Sequence, residues 1–266
     1  MSTKIITLTT DFGLKDPYAA EIKAAILGIC PNAVIVDITH EIEKFNIRTG
    51  AYVLASAVPY FPTGTIHVAV VDPGVGTQRR PILIQTQQGC FIGPDNGLLI
   101  LAAENQGITS IYEITNPRLM LSRVSSTFHG RDVFAPAAAH LASGAPPTDF
   151  GPEIRNAVKP DFTKVMLRKG VMIGEVMHVD NFGNVITNIS EKELSRIHTN
   201  GMVNVELPNR KFELKFCKAY AEAKPRELLA LIGSHNYLEI AINQGNAAAK
   251  FKIKLGEKIK LSFVSK

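Results

Sequence analysis

Residues 5–39 read IITLTTDFGLKDPYAAEIKAAILGICPNAVIVDIT, and the order of patterns inside this stretch decides the fold class. Ile5 to Thr9 is a short apolar, β-branched run of strand character, broken by the turn residues of TDFG at 10–13. Tyr18, Ile22, Ala25, Ile26 and Ile29 then recur at helical spacing, and Val34 to Thr39 is a second strand-like run. Strand, helix, strand is the unit of a parallel sheet covered by helices, because a parallel return needs a crossover. The alternation continues with a helix over 51–58 and a strand from Thr65 to Val71. A hairpin around Gln87 to Gly89 follows, then a helix from Leu98 to Glu104, a strand from Ser110 to Thr115, and a helix after Arg131 through Leu141.

From Gly144 to Pro160 the texture changes, with Pro146, Pro147, Pro152 and Pro160 disfavouring both helix and central strand. This stretch reads as a linker. The expected organisation is an α/β domain over 1–160, with a mainly parallel sheet flanked by helices, and a smaller β-rich, barrel-like domain over 165–266. The second part holds short strand-like pieces broken by Gly and Pro, and one helix start at Ser190 to Glu193 with a capping-box pattern.

At 266 residues, 45% hydrophobic and 20% charged, with mean hydropathy +0.08, the chain has the make-up of a soluble globular protein. Disorder, collagen and coiled coil are excluded as its main architecture. No apolar run reaches the roughly 18 residues of a membrane span. The start, MSTKIITLTTDFG, meets an acidic residue before a long apolar region forms, so no secretory signal and a cytoplasmic location are expected. Cys30, Cys90 and Cys217 are far apart and odd in number, without a CxxC pair. They suggest neither a disulfide framework nor a zinc site, and each reads as a small buried apolar residue.

The net charge of +5 is uneven, with the excess of lysine and arginine beyond residue 164. A basic half is compatible with nucleic-acid binding. In KFKIKLGEKIKL at 250–261, however, the lysines alternate with Phe251, Ile253, Leu255 and Ile259, as in strands with one solvated face. No aromatic residues interleave there to stack bases, so neither a nucleic-acid partner nor a membrane is expected.

Ligands of open α/β sheets bind beyond the C-terminal strand ends, so residues just after the strands are the first candidates. Asp11 follows the first strand and Asp72 the third. A lone Asp there caps a turn as readily as it binds a ligand; two at equivalent places strengthen the functional reading. DPGVGTQRR at 72–80 is either a loop in which Asp72 meets Arg79 or Arg80, or a surface loop with a solvated arginine pair. Its GVG lacks both the Walker lysine pattern and GxGxxG spacing, which argues against a phosphate cradle.

In FHGRDVFAP, His129 and Gly130 immediately precede a helix. A histidine there is placed to act near neutral pH, and the glycine admits a ligand close to the backbone. His40, His67, His140, His178, His198 and His235 read as structural or exposed. Asp11, Asp72, His129 and Asp132 are the conceivable metal set, but no HExxH or close His pair supports one, and no metal is expected. HVDNFGNVITNI at 178–189 crowds Asp180, Phe182, Gly183, Asn184 and Asn188, either as a hairpin turn or as an aromatic face and amide for a purine. Ser234 and Asn243, in GSHNYLEIAINQGNAA at 233–248, are site residues or turn formers.

Taken in order, TDFG, THEI with FNIR, VVDPGVGTQRR, GPDNG, FHGRDVFAPAAAHL, DNFGNVITNI and GSHNYLEIAINQGNAA resemble the S-adenosyl-L-methionine (SAM) hydroxide adenosyltransferases, or SAM hydrolases, relatives of fluorinase and chlorinase. The resemblance spans nearly the whole chain. It implies a homotrimer whose sites lie between the N-terminal domain of one subunit and the C-terminal domain of its neighbour. The implied reaction is SAM plus water giving adenosine and L-methionine, with no cofactor.

By this resemblance Asp72, Arg79 and His129 are the catalytic, water-activating set, and Asp11 holds the ribose diol. Phe45 stands where halogenases carry an aromatic wall, and Phe128 and Gly130 are also substrate-binding. Asp180 meets the methionine amino group, Phe182 makes a base or wall contact, Asn184 reads the adenine edge and Ser234 holds the methionine carboxylate. Three positions depart from the fluorinase pattern. His235 stands where fluorinase has an arginine, Asp72 where it has a tyrosine, and Gly130 where it has a serine. The last two point away from halide as the nucleophile. The alternatives are a SAM or nucleoside sensor without turnover, and a metal-dependent phosphoesterase built on the aspartates and His129.

Overall fold

Burial on both faces governs the central strands of the first half of the chain, with a more exposed strand, Val34–Thr39, at the edge. In a computed structural model that describes residues 4–195, 201–208 and 210–263, the β-branched runs become strands β1 (Ile5–Thr10), β2 (Val34–Thr39) and β3 (Thr65–Val70). His198 lies outside the described residues. Helices α1 (Tyr18–Ile29) and α2 (Ile47–Ala57) connect these strands. Strands β4 (Pro81–Thr86) and β5 (Gly89–Pro94) form the hairpin, followed by α3 (Ile100–Asn105), β6 (Ile108–Glu113) and α4 (Ala135–Ala142). The sheet order is β2-β1-β3-β5-β4-β6; β1, β2, β3 and β5 run parallel and β4 runs against its neighbours. Ile6, Leu8, Ile22, Ile26 and Phe134 build the core on one face, and Leu54, Phe91, Leu98 and Ile84 belong to that on the other.

Capping residues set the helix starts. Helix α2 begins a turn earlier than its apolar spacing predicts, because the Asn46 side chain accepts the Thr49 N–H at 3.0 Å. Before α4 the chain makes one wide π turn, Gly130–Phe134. Pro136 has no N–H to offer the Asp132 carbonyl, which instead accepts from Leu121 N–H at 2.9 Å.

The chain divides into two compact units, Met1–Lys159 and Pro160–Lys266. In the second, β7 (Met166–Arg168), β8 (Val171–Val179), β9 (Val185–Ser190), α5 (Glu191–Leu194), β10 (Met202–Leu207), β11 (Arg210–Cys217), β12 (Leu228–Ile232), β13 (Tyr237–Ile242), α6 (Ala247–Phe251) and β14 (Lys258–Phe263) follow in order. The order β14-β10-β11-β12-β13-β9-β8, with β14 also pairing β8, closes a seven-stranded barrel among the described residues. Met172, Val176, Val185, Ile240, Ile259 and Leu261 belong to its apolar core. Both arms of the Ser190–Glu193 capping box are made, at 2.8 and 3.3 Å.

The lysine-rich 250–261 segment meets the strand expectation only in its last part. Lys250 and Phe251 end α6, Lys252 turns the chain in the left-handed region, and only Lys258 onward is strand. Alternation over so few residues does not separate a helix end and turn from a strand. Cys30 and Cys217 are buried as expected; Cys90 is half-buried, and burial pushes its thiol up to about 11.

Candidate active site

The parallel register of β1 with β3, which pairs Thr10 with Val70, brings Asp11 and Asp72 to the same sheet end. There they line a cleft of about 360 Å³ together with Phe45, Phe128, His129 and Gly130. All these sequence-derived candidates therefore converge. Phe12, Asp16, Tyr18, Lys44, Val75 and Thr127 also line it and were missed. Asp16 stands one residue before the Pro17 cap of α1, where an acidic residue reads as helix punctuation, so no separate signal marked it.

Asp72 and Arg79 meet across the DPGVGTQRR loop. Arg79 Nε donates to both carboxylate oxygens at 3.0 Å, and Nη2 donates to Oδ2 at 2.5 Å. Their side chains are only 5% and 10% exposed, so solvent screens this pair little. The same Nη2 lies 2.8 Å from His129 Nδ1. A guanidinium only donates, so Nδ1 must be the acceptor and the ring proton sits on Nε2. Burial, followed by the Arg79 charge, lowers the His129 pKa against the opposing pull of Asp72, Asp132 and a hydrogen bond to the Ser125 backbone, which favours the neutral imidazole that the Arg79 contact requires. Arg79 Nη1 is buried with no hydrogen-bond partner among the described residues, and the guanidinium carbon lies 5.2 Å from the Phe134 ring centre.

Neighbouring groups hold this cluster in place. Gly76 takes φ +74 with its backbone against Ser126, where any Cβ would fall 2.1 Å from the Ser126 carbonyl oxygen. Asn96 of the GPDNG motif donates to the Val71 carbonyl at 2.8 Å, immediately before Asp72. Arg80 is not part of the cluster; it pairs with buried Asp95 at 2.5 Å. Asp132 is likewise committed elsewhere, accepting from Arg131 and from the Ser125 N–H. Among the described residues, no three His, Cys, Asp or Glu side chains are grouped to hold a metal ion.

At the other side of the cleft, Asp11 Oδ2 accepts the Phe45 N–H at 2.9 Å and the Asp11 carbonyl accepts from Lys44 Nζ. Phe45 is held at φ +64 and is 68% exposed as a residue. For a bulky residue this backbone conformation is strained, of the kind found at ligand-binding loops. Phe12, Tyr18 and Phe128 pack edge to face, at centroid distances of 5.2 to 6.0 Å. Gly130 completes this wall, because a Cβ there would press on Phe12, Ile22 and Phe128 at 3.2 to 3.3 Å.

The barrel unit carries the remaining candidates. Asp180 organises its own turn between β8 and β9, accepting the N–H groups of Phe182 and Asn184 at 2.9 and 2.8 Å. Gly183 sits at φ +82, where a Cβ would overlap the Asn246 amide, and the Phe182 ring at the tip is 78% exposed. The Asn184 amide donates to Asp180 Oδ2 at 2.9 Å and to the Tyr220 hydroxyl at 3.4 Å. Tyr220 in turn donates to Glu239 Oε2 at 2.7 Å. Burial pushes the Glu239 carboxyl up. Neither Tyr220 nor Glu239 was singled out from the sequence. Ser234 and His235 are exposed on the turn after β12; Asn243 holds the Ala223 carbonyl at 2.8 Å and Asn188 the Phe162 carbonyl at 3.0 Å, both structural.

Comparison with known proteins sets these features in a family. Residues 6–151 match the SAM hydroxide adenosyltransferase N-terminal domain and residues 174–260 its C-terminal domain. A relative from Methanocaldococcus jannaschii named (R)-S-adenosyl-L-methionine hydrolase is 40% identical, over 97% of this chain and 96% of the relative. A more distant relative from Actinoplanes, named fluorinase, is 27% identical over 95% of each. A crystal structure of an uncharacterized conserved protein from Thermotoga maritima superposes with TM-score 0.88 at 40% identity, covering 97% of this chain and 99% of that one. With both domain matches together spanning most of its length, the chain belongs to the SAM hydroxide adenosyltransferase family.

Proposed function

We propose that the protein hydrolyses S-adenosyl-L-methionine to adenosine and L-methionine, with water attacking the ribose 5′ carbon. The relatives' names support the reaction, and one observation within the chain carries it: Arg79 Nη2 bridges Asp72 Oδ2 at 2.5 Å and His129 Nδ1 at 2.8 Å in the cleft wall. The sulfonium departs as a neutral thioether, so nothing need protonate the leaving group and no cofactor is required. The burden falls on the nucleophile.

Making free hydroxide from water at pH 7 costs roughly 12 kcal/mol. A charge-assisted hydrogen bond returns only about 1.5–3 kcal/mol, so Arg79 alone does not suffice. Asp72 keeps lone pairs that Arg79 does not use and accepts the water proton as the oxygen–carbon bond forms. His129, with Nδ1 accepting from Arg79, holds the guanidinium in place and is not the base. A carboxylate at this place also favours neutral water over a halide anion as the incoming group.

Asp11 binds the ribose diol through the oxygen that Phe45 leaves open, Phe45 and Phe128 flank the sugar, and Gly130 lets it approach the backbone. In the barrel unit, Asp180 takes the methionine amino group, Asn184 and Phe182 the base, and Ser234 the methionine carboxylate. Gripping both ends of the substrate aligns the attacking oxygen with the carbon–sulfur bond. The family resemblance supports a homotrimer in which these two sets come from neighbouring copies. Three free thiols are in keeping with a reducing, cytoplasmic setting.

Turnover in 18O-labelled water tests the reading: the label is expected in the adenosine 5′ hydroxyl. Tight SAM binding without methionine release would replace it with a sensor role.

A further inference from the structure

We propose that Tyr220 and Glu239 are positioning residues that lock the Asn184 amide with its carbonyl oxygen toward the ligand, so that the site takes a 6-amino purine and rejects a 6-oxo purine. This rests on the reading of Asn184 as the contact to the base.

The orientation follows from counting protons. Tyr220 has one hydroxyl proton, and it is committed to Glu239 Oε2 at 2.7 Å. The Tyr220 oxygen therefore offers Asn184 only lone pairs, and Asp180 Oδ2, 2.9 Å from the amide nitrogen, offers the same. Both facing groups being acceptors, the NH2 end of the amide must point at them. Turning the amide over would set its oxygen against the Asp180 carboxylate and the tyrosine lone pair. With both amide hydrogens engaged, Oδ1 is left without a donor among the described residues.

A second observation points the same way. Glu239 is buried, a costly place for a carboxylate, and room for it is made by Gly233, where a Cβ would fall 1.7 Å from Oε1. A buried acid with a tailored cavity, spent on orienting one hydroxyl, is explained if that hydroxyl fixes a recognition group. An open carbonyl oxygen accepts the exocyclic amino group of adenine. It repels the carbonyl at position 6 of hypoxanthine, and a site built to hydrogen-bond one partner discriminates strongly against the other.

The test is calorimetric binding of adenosine and inosine to the full-length protein and its variants, alongside SAM turnover. The intact protein is expected to prefer adenosine by about a hundredfold. Tyr220→Phe, which keeps the ring, and Glu239→Met, which keeps the volume, are expected to shrink that preference at least ~10-fold. Glu239→Gln retains an acceptor for Tyr220 and should restore it. In turnover the loss should appear in KM more than in kcat. An unchanged preference in folded Tyr220→Phe, equal binding of the two nucleosides by the intact protein, or binding of neither overturns the proposal. Failure to release adenosine from SAM would remove the hydrolase reading and leave the nucleoside preference measurable.

Discussion

Arg79 cannot give up its proton, so its neighbours must be acceptors, and that one constraint assigns the protonation of the cluster. If Asp72 takes the proton, Asp72→Asn, which keeps shape and loses basicity, should lower kcat at least ~100-fold. His129→Gln, which can still accept from Arg79 and still donate, should lose about tenfold or less, and His129→Ala more. Adenosine release at saturating SAM reads all three; equal losses in Asp72→Asn and His129→Gln would return the base role to the histidine. The pH profile follows the same logic. Burial and the Arg79 charge lower the His129 pKa, so the neutral, competent ring persists to more acidic pH than an ordinary imidazole near 6.5. The acid limb of kcat/KM should fall below that value, and a limb at or above it would contradict the tautomer. At this scale the sequence named the residue types but not their pairing. Arg79 and Arg80 are adjacent and chemically identical, yet one faces His129 from 50 positions away and the other Asp95 from 15. Residue type and spacing do not separate them; the family resemblance singles out Arg79, and the folded chain shows the two sets of partners. Tyr220 and Glu239 were invisible for a related reason: each lies in an ordinary strand-rich context, and their meaning comes from a contact spanning 19 residues.

Among the elements, strands buried on both faces were legible because β-branched runs leave little choice, and the helices of the first unit were legible except at their ends. Asn46 moved one of those ends by making a single hydrogen bond and Pro136 another by lacking one, a scale finer than apolar spacing resolves. Strand β3 also carries a prediction. His67 reads as structural from sequence and proves to be buried, with Nδ1 2.8 Å from the Thr7 hydroxyl and its ring between Phe61 and Phe91. Burial lowers its pKa to about 4, against 6.5 for the free side chain. The folded state therefore resists protonation that the unfolded chain accepts. The associated stability is intact above pH 6.5, falls as the pH drops toward 4, and amounts to about 3 kcal/mol when fully lost. Urea unfolding of the parent and His67→Gln across this range should differ in slope, the variant losing less stability on acidification. Parallel curves would show that His67 titrates normally.

At the level of the whole molecule, each unit buries its own core, and in the proposed reading each holds only part of the residues that meet SAM: the water-activating cluster and ribose carboxylate in the first, the base and methionine contacts in the second. The ordered motifs are what suggest this division of labour. Assembly was not legible from composition or periodicity, because a symmetric interface leaves no period in the chain that forms it. If the two sets meet between copies, as proposed, inactive chains should repair one another. Asp72→Asn removes function from the first set, and Asn184→Ala from the second. Co-expressed in equal amounts and mixed at random in a closed ring, half of the copies bring an intact first set and half of their neighbours an intact second set. About a quarter of the sites should then be whole. Co-assembled protein should regain about a quarter of parental turnover per site, while each variant alone stays inactive. If instead both halves of a site come from one chain, every site carries one lesion, and the mixture should remain as inactive as its parts.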